Sequence, residues 1–428
     1  MKKKNINMFM AVVVFLTVFV GLAEGGWPEA AKLVDPNGAD YDYFGVSVSV
    51  SGDNAIVGAC WDDDYGNDSG SAFIFKRDGT AWIQQAKLTA SDIAEEYQFG
   101  SSVCINGDYA IVGACGEANY RGSAYIFKCD GSSWLEQAKL TASDGAAEDG
   151  FGSRVSIDGD YAVVSSCHDD DNGNNSGSAY IFKRDGIIWK QQAKLTASDG
   201  AIEDEFGISV SISGDYVVAG SFNDGDNGSN SGSAYIFKRD GTAWTQQAKL
   251  TASDGSIYDY FGISVCIAGD YTIVGAYCDD HDEDDSGSAY IFKRNGTAWT
   301  EEAKLNASDG GGEDFFGVSV YIDGDYAIVG ACGGNPGIGS AYIFKRDVAA
   351  WEEQVKLTAS DGAFEDYFGT SVSIDGSFAI VGSYGDDAYR GSAYIFEKVC
   401  PSADLTGDCF VDIEDFMVMA EQWLTGEN

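Results

Sequence analysis

Residues 206–250 contain Phe206-Gly207-Ile208-Ser209-Val210-Ser211-Ile212, then Asp215-Tyr216-Val217-Val218-Ala219-Gly220, then Ser233-Ala234-Tyr235-Ile236-Phe237, then Trp244-Thr245-Gln246-Gln247-Ala248-Lys249-Leu250. The first three segments are short and rich in β-branched and aromatic residues, which is the length and composition of strands and not of helices. The pattern recurs. Phe-Gly pairs open at Phe44, Phe99, Phe151, Phe206, Phe261, Phe316 and Phe368, with spacings of 55, 52, 55, 55, 55 and 52 residues. Seven in-phase copies of one four-segment unit fix the problem the fold has to solve: each unit has two faces to bury and only its neighbours to bury them against.

The connectors are of two kinds. Between the first and second segments lie tight turns such as Ser51-Gly52-Asp53, Asn106-Gly107-Asp108, Asp158-Gly159-Asp160 and Asp323-Gly324-Asp325, and between the third and fourth lie Asp78-Gly79, Asp130-Gly131, Asp185-Gly186, Asp240-Gly241 and Asn295-Gly296. Glycine there supplies the positive φ that two-residue hairpin turns need. The other two connectors are long. In an up-and-down meander alternate connections share one end of the sheet, so all long loops emerge on one face and all tight turns on the other. Radial packing of such units predicts an all-β, seven-bladed β-propeller of four-stranded antiparallel blades. The phase of the repeat predicts how it closes. The chain has a fourth-segment sequence at Trp27-Pro28-Glu29-Ala30-Ala31-Lys32-Leu33, and the seventh copy ends at Ser392-Ala393-Tyr394-Ile395-Phe396 without one. The N-terminal strand is expected to complete the last blade.

Phe-Gly at the head of the first segment, Val-Gly-Ala at the end of the second (Val57-Gly58-Ala59, Val112-Gly113-Ala114, Val329-Gly330-Ala331) and Gly-Ser-Ala-Tyr-Ile-Phe in the third resemble the FG-GAP repeat of integrin alpha-subunit propellers and their bacterial relatives, over roughly residues 27–397. The resemblance implies a propeller with the first strand innermost and a ligand-facing surface made by the long loops. Integrin propellers place a calcium loop between the first two strands of some blades. Here those connections are short turns with no room for one, so the resemblance carries no calcium sites to them.

Acidity concentrates in the loops after the second segment: Asp62, Asp63 and Asp64; Asp169, Asp170 and Asp171; Asp224 and Asp226; and Asp279, Asp280, Asp282, Asp284 and Asp285. Asp144, Glu148 and Asp149 from a loop after the fourth segment add to the same face. Converging hard oxygen donors suit calcium or a cationic partner. The same composition also reads as solvated loops whose charge keeps a protein soluble, and both readings stand at this point. Lying beyond the strands, these side chains are expected to be dispensable for folding. The second, sixth and seventh copies have shorter, less acidic loops, so the face is asymmetric.

The repeat ends near residue 398. Beyond it, Asp404, Thr406, Asp408, Asp412 and Asp415 put oxygen side chains at positions 1, 3, 5, 9 and 12 of a loop, with the Phe410 carbonyl at position 7, ahead of an amphipathic stretch to Leu424. This is EF-hand-like spacing for calcium. Residues 399–428 resemble one calcium-binding half of a dockerin, which implies a cohesin-like partner. Only one such half is present, Cys409 stands where glycine is usual, and Thr406 replaces Asp or Asn. Cys400 and Cys409 bracket the loop and suit a local disulfide in an oxidising compartment. At the other end, Lys2-Lys3-Lys4, an apolar run from Met8 to Val20 and Gly21-Leu22-Ala23 form a secretory signal over residues 1–23, leaving a propeller domain at 24–398. The apolar run is shorter than the roughly 20 residues that span a bilayer, so no transmembrane segment is expected in the mature protein.

The chain has 428 residues and a net charge of −42, which excludes sequence-independent binding to nucleic acid. Its 10 cysteines show no Cys-x-x-Cys and recur at shared repeat positions (Cys60, Cys115, Cys167 and Cys332; Cys104 and Cys266), as drift among small residues would leave them. The two histidines, His168 and His281, both lie in acidic loops. There is no Gly-x-Ser-x-Gly elbow, no His-Glu-x-x-His and no phosphate-cradling loop. Carboxylate pairs are abundant, but none stands out from the repeat. These features lead to an expectation of a secreted or cell-surface, non-enzymatic binding or adhesion module for an extracellular protein or glycan, tethered by its calcium-binding tail. The alternatives are a polysaccharide-active enzyme or accessory module of a glycan-degrading assembly, and a structural surface-layer component.

Overall fold

The computed structural model describes residues 26–280, 283–333, 337–347, 350–400 and 417–418. The predicted signal segment, the tail loop with Asp404, Thr406, Asp408, Phe410, Asp412 and Asp415, and Cys409, His281 and Asp282 lie outside the described residues. Residues 29–396 form one compact unit.

That unit contains seven four-stranded antiparallel sheets, six of them built from strands consecutive in sequence. In blade 4 the strands are Ser209–Ser213, Tyr216–Ser221, Ser233–Asp240 and Ala243–Leu250. Its hairpins close at Ser213↔Tyr216 and Asp240↔Ala243, around Gly214 at φ 57° and Gly241 at φ 62°. The seventh sheet is assembled from both ends of the repeat array. Ser371–Asp375, Phe378–Ser383 and Ser392–Glu397 are completed by Glu29–Leu33, with Glu29 opposite Phe396 and Leu33 opposite Ala393. The expected closure is therefore the observed one.

Blades pack by burying alternate faces. One apolar cluster joins Val163, Ile181 and Leu195 of blade 3 to Phe206, Val210, Val217 and Tyr235 of blade 4. The corresponding cluster at the seam joins Leu33, Ile380 and Ile395 of blade 7 to Phe44, Val48, Val57 and Phe73 of blade 1. The signature glycines permit this contact. Gly45 has φ 95°, and a Cβ there would overlap the Ser392 carbonyl oxygen; a Cβ on Gly382 would overlap the Gly45 carbonyl oxygen. Backbone thus meets backbone across six of the blade boundaries, which only glycine allows; at the boundary of blades 3 and 4 Ser165 takes the second-strand position.

The first strands surround a central cavity of about 270 Å³, lined at equivalent positions by Ser49, Cys104, Ser156, Ser211, Cys266 and Tyr321. Serines on these strands stitch neighbours together. The Val103 and Ile105 N–H groups donate to Ser47 and Ser49 Oγ of blade 1 (3.0 and 3.2 Å). At the seam Val48 and Val50 donate to Ser371 and Ser373 Oγ (3.0 and 3.2 Å). Each such bond contributes about 1 kcal/mol. The Ser-x-Ser alternation of the first segment thus satisfies backbone donors that a four-stranded blade leaves open on its inner edge.

Residues 26–28 and 397–400 belong to a second compact unit, in which the Val399 N–H donates to the Gly26 carbonyl (2.9 Å) and Glu397 N–H to that of Pro28 (3.1 Å). Cys400 is disulfide-bonded, while the eight described cysteines of the propeller are free thiols. Among the described residues no helix is long and apolar enough to cross a membrane.

Candidate functional site: the loop face

The long loops are organised around one lysine per blade, the lysine of Ala-Lys-Leu in the fourth strand (Val-Lys-Leu in blade 6). In blade 3 Lys194 Nζ donates to Asp144 (3.0 Å) from the loop entering the blade and to Asp169 (2.8 Å) from the loop after the second strand, and it pairs with Asp171. Tyr180, on the third strand, donates its hydroxyl to Asp169 (2.7 Å), and Lys194 Nζ stands 5.2 Å from the centre of the Tyr180 ring. Blade 4 repeats the set with Lys249, Asp199, Asp224, Asp226 and Tyr235. Blade 5 uses Lys304, Asp254, Asp279 and Tyr290. In blade 1 Lys87 binds Asp62 and Asp64 over the Phe73 ring. Blades 2 and 7 use Lys139 with Asp92 and Glu117, and Lys32 with Asp361 and Asp386. In blade 6 the described residues pair Lys356 with Asp309.

The acidic side chains lie beyond the strand ends, as expected, but they are not uniformly solvated. Asp62, Asp169, Asp224 and Asp279 are all buried, and each is held by the lysine of its blade. Asp63, Asp170 and Asp280 accept the N–H of the residue five positions on (2.7–2.8 Å), closing their own loops. Asp64, Asp171 and Asp226 are exposed but occupied by the lysine. Asp284 is exposed, and Asp285 lies half-buried at φ 56°. Of the loop after the fourth strand, Glu148 is exposed, while Asp149 is buried and accepts the Ala146 N–H (2.6 Å).

The electrostatics follow from this geometry. Burial alone would depress the Lys194 ammonium; its hydrogen bonds to Asp169 and Asp171 outweigh that and raise it well above the usual lysine range. The loop carboxylates Asp92, Asp144, Asp199, Asp254, Asp309 and Asp361 are held below the usual range because their lysine partners prevail over desolvation. A second carboxylate, two residues before Phe-Gly, goes the other way. Asp42 and Asp259 are pushed up to about 6 by burial, opposed by one backbone N–H each and reinforced by the neighbouring Asp62 and Asp279 charges. Asp149, Asp204 and Asp366 are raised for the same reasons.

Asp35, Asp42 and Asp62 each bring one carboxylate oxygen within 4.8 Å of the others, the single such cluster among the described residues. Lys87 lies 2.6 Å from Asp62 and 3.8 Å from Asp35, so a cation of the protein already neutralises this corner. The residues present fit a lysine cage better than a calcium site.

On the same loop face lie two aromatic arcs that the sequence reading missed. One spans the seam: Tyr43 stacks on Trp61 (4.3 Å between ring centres) and meets Tyr384 (5.2 Å) and Tyr389 (5.5 Å), with Tyr367 stacked on Tyr384 (5.3 Å) and Tyr41 on Tyr389 (5.7 Å). The other comprises Phe222, Tyr258, Tyr260, Tyr277 and Phe315 in blades 4 to 6. The available signal was departure from the repeat, because Cys60, Cys115, Cys167 and Cys332 occupy the position held by Phe222, Tyr277 and Tyr384.

The FG-GAP repeat matches residues 27–75, 82–127, 134–182, 189–237, 244–292, 299–344 and 351–396. The chain belongs to the FG-GAP repeat family. Each match runs from the tryptophan that heads a fourth segment to the phenylalanine that ends the next third segment, the same permuted phase by which this FG-GAP propeller closes. No curated protein matches the chain. The FG-GAP propeller is a fold suited to binding or adhesion-type modules.

Proposed function

We propose that this FG-GAP propeller is an exported, non-enzymatic binding module that presents its loop face to an extracellular protein or glycan, and that residues 399–428 hold calcium and tether it through a cohesin-like partner. The observation that carries the reading is the contrast between the two faces. The turn face repeats one chemistry in which Arg184, Arg239, Arg294 and Arg346 pair with Asp160, Asp215, Asp270 and Asp325. The loop face changes length and composition from blade to blade on that rigid frame, and binding residues concentrate on variable loops of rigid scaffolds. The carboxyls pushed up to about 6, Asp42 and Asp259, are buried and each accepts an N–H of its own loop, from Ala39 and Ser256.

The test compares two charge-reversed proteins on arrays of polysaccharides and extracellular proteins. Reversal of exposed loop-face acids (Glu95→Arg, Glu203→Arg, Asp284→Arg, Glu313→Arg) is expected to abolish retention, and reversal of turn-face acids (Asp78→Arg, Asp185→Arg, Asp240→Arg) to leave it. The opposite ranking refutes the reading. New reducing ends or unsaturated products from any polysaccharide would make the protein an enzyme instead.

A further inference from the structure

The turn face, opposite the long loops, repeats one ion pair, and blade 2 breaks it. In blades 1, 3, 4, 5 and 6 an arginine at the end of the third strand pairs with the aspartate that follows the first hairpin glycine: Arg77 with Asp53 (3.8 Å), and Arg184, Arg239, Arg294 and Arg346 with Asp160, Asp215, Asp270 and Asp325. Each guanidinium also lies 4.4–4.8 Å from the centre of a ring in the preceding blade, Phe378, Tyr109, Tyr161, Tyr216 or Tyr271. Blade 2 keeps the aspartate, Asp108, but has Cys129 in place of the arginine, and blade 1 offers Asn54 in place of the ring. The backbone there is unchanged, for the Cys129 N–H donates to the Asp108 carbonyl at 2.8 Å just as the Arg184 N–H donates to that of Asp160. The Cys129 thiol accepts the Gly131 N–H of its own turn (3.3 Å), and the exposed Asp108 carboxylate has no partner among the described residues.

Asp108 and Cys129 line an open cavity of about 730 Å³ that also takes in Leu135 of blade 2 and Ile187 of blade 3. Those two side chains are 60% and 74% exposed. At the Ile187 position blades 1, 2, 4 and 5 have Thr80, Ser132, Thr242 and Thr297, so the apolar wall belongs to this cavity and not to the repeat. The other charged groups lining it are engaged: Asp130 by the Ser132 and Ser133 N–H groups, Glu136 by Ser91, and Lys128 over the Tyr109 ring at 5.4 Å. Asp108 alone is left to receive a cation.

We propose that this turn-face cavity of blade 2 receives an arginine side chain from a partner polypeptide, with the guanidinium on Asp108 and the aliphatic stem between Leu135 and Ile187. The fold supplies the precedent, since the same aspartate holds a guanidinium in five other blades. A planar guanidinium matches a carboxylate with two parallel N–H donors, which an ammonium cannot do, and its methylene stem covers apolar surface. A chain of net charge −42 draws cationic segments from a distance. The contact is separate from whatever the long loops hold, because it lies on the other face.

The test uses the full chain and the fluorescein-labelled peptide Gly-Leu-Arg-Leu-Gly, read by anisotropy, beside the same peptide with lysine or with uncharged citrulline in place of arginine. Wild type is expected to bind the arginine peptide, the lysine peptide more weakly and the citrulline peptide not measurably. Asp108→Asn is expected to weaken binding of the arginine peptide about fivefold at unchanged melting temperature, and Leu135→Ser with Ile187→Ser to weaken it by a similar factor. Cys129→Arg, which returns to blade 2 the arginine of the other blades, is expected to occupy Asp108 and abolish binding. Asp240→Asn, an exposed turn acid of blade 4, is the control for overall charge and should change affinity by less than about twofold. Equal binding by wild type and Asp108→Asn, an equal effect of Asp240→Asn, or equal binding of the citrulline peptide overturns the inference. Concentration-dependent dimerisation in sedimentation velocity that Asp108→Asn abolishes would make a second copy of this chain the occupant and overturn the assignment to a separate partner. Should Cys129→Arg fail to fold, Asp108→Asn and the citrulline peptide decide on their own, since Asp108 is exposed.

Discussion

Substitution of Asp169 tests whether the lysine cages are structural. In wild type its carboxylate accepts three hydrogen bonds, from Tyr180 Oη (2.7 Å), Lys194 Nζ (2.8 Å) and the Asp171 N–H (3.0 Å), in a buried corner. Asp169→Ala leaves a buried phenol and an ammonium short of a partner. Breaking one side of a buried pair costs about 3–5 kcal/mol. Two features reduce that figure here: Lys194 keeps Asp144 and Asp171, and Asp149, whose carboxyl is raised by burial and by the Asp169 charge, is relieved. The expected loss is about 2–4 kcal/mol. Lys194→Met abandons three carboxylates together and should cost at least as much, while the double variant Asp169→Ala/Lys194→Met should lose less than the sum of the two by about 1.5–3 kcal/mol. Urea denaturation gives the global values, and hydrogen exchange over residues 161–195 shows whether blade 3 opens locally first. Asp284→Ala, on an exposed loop, is the control and should stay within about 0.5 kcal/mol of wild type. If Asp169→Ala behaves like Asp284→Ala, the cages are ordinary surface pairs and the argument fails.

Deleting residues 29–33 removes the strand that completes blade 7, together with the Leu33 contact and the Lys32 pairs to Asp361 and Asp386; a large fall in melting temperature with aggregation is expected, and an unchanged melt with monomeric elution would mean the ring does not depend on this clasp. Stability should be greatest on the acid side of neutrality. Asp42 and Asp259, raised to about 6, bind protons more readily folded than unfolded, so stability grows as pH falls from 7 toward about 4; the depressed Asp92, Asp144, Asp199, Asp254, Asp309 and Asp361 then lose theirs as pH falls further. Urea midpoints that decline steadily from pH 7 to pH 5 would contradict this. Calcium titrated calorimetrically into the full chain should bind the tail, and Asp404→Ala with Asp415→Ala should abolish the heat; no binding at millimolar calcium with Cys400 and Cys409 tested both oxidised and reduced would remove the dockerin-like assignment.

The propeller was legible because every blade faces the same physical demand and answers it with the same residues. Phe-Gly, Val-Gly-Ala and the Gly-Asp turns recur because backbone contact and positive φ recur at each boundary, and the phase shift at Trp27 to Leu33 exposes the closure directly. The site was less legible, for two reasons. Asp62, Asp63 and Asp64 are contiguous in sequence yet have three different environments, and nothing in the triplet shows that Lys87, arriving a hairpin later, will bury the first. The clue was the lysine itself, present at Lys32, Lys87, Lys139, Lys194, Lys249, Lys304 and Lys356, since a charge kept in all seven copies of a drifting repeat has a partner kept with it. The seam arc is marked in the sequence only by departures from the repeat, and its members Tyr43 and Tyr384 meet only through ring closure. Agreement among the copies therefore marks what holds the blades, and it includes most of the acids that first looked like a binding surface. The copies disagree at Trp61, where other blades have glycine, histidine, asparagine or cysteine, and at Tyr43, Tyr260, Phe315 and Tyr367, where blades 2 to 4 have Gln98, Gly150 and Glu205. Grouped at the seam and in blades 4 to 6, and replaced by other residue types in blades 2 and 3, these rings give the loop face a direction that its net charge alone does not.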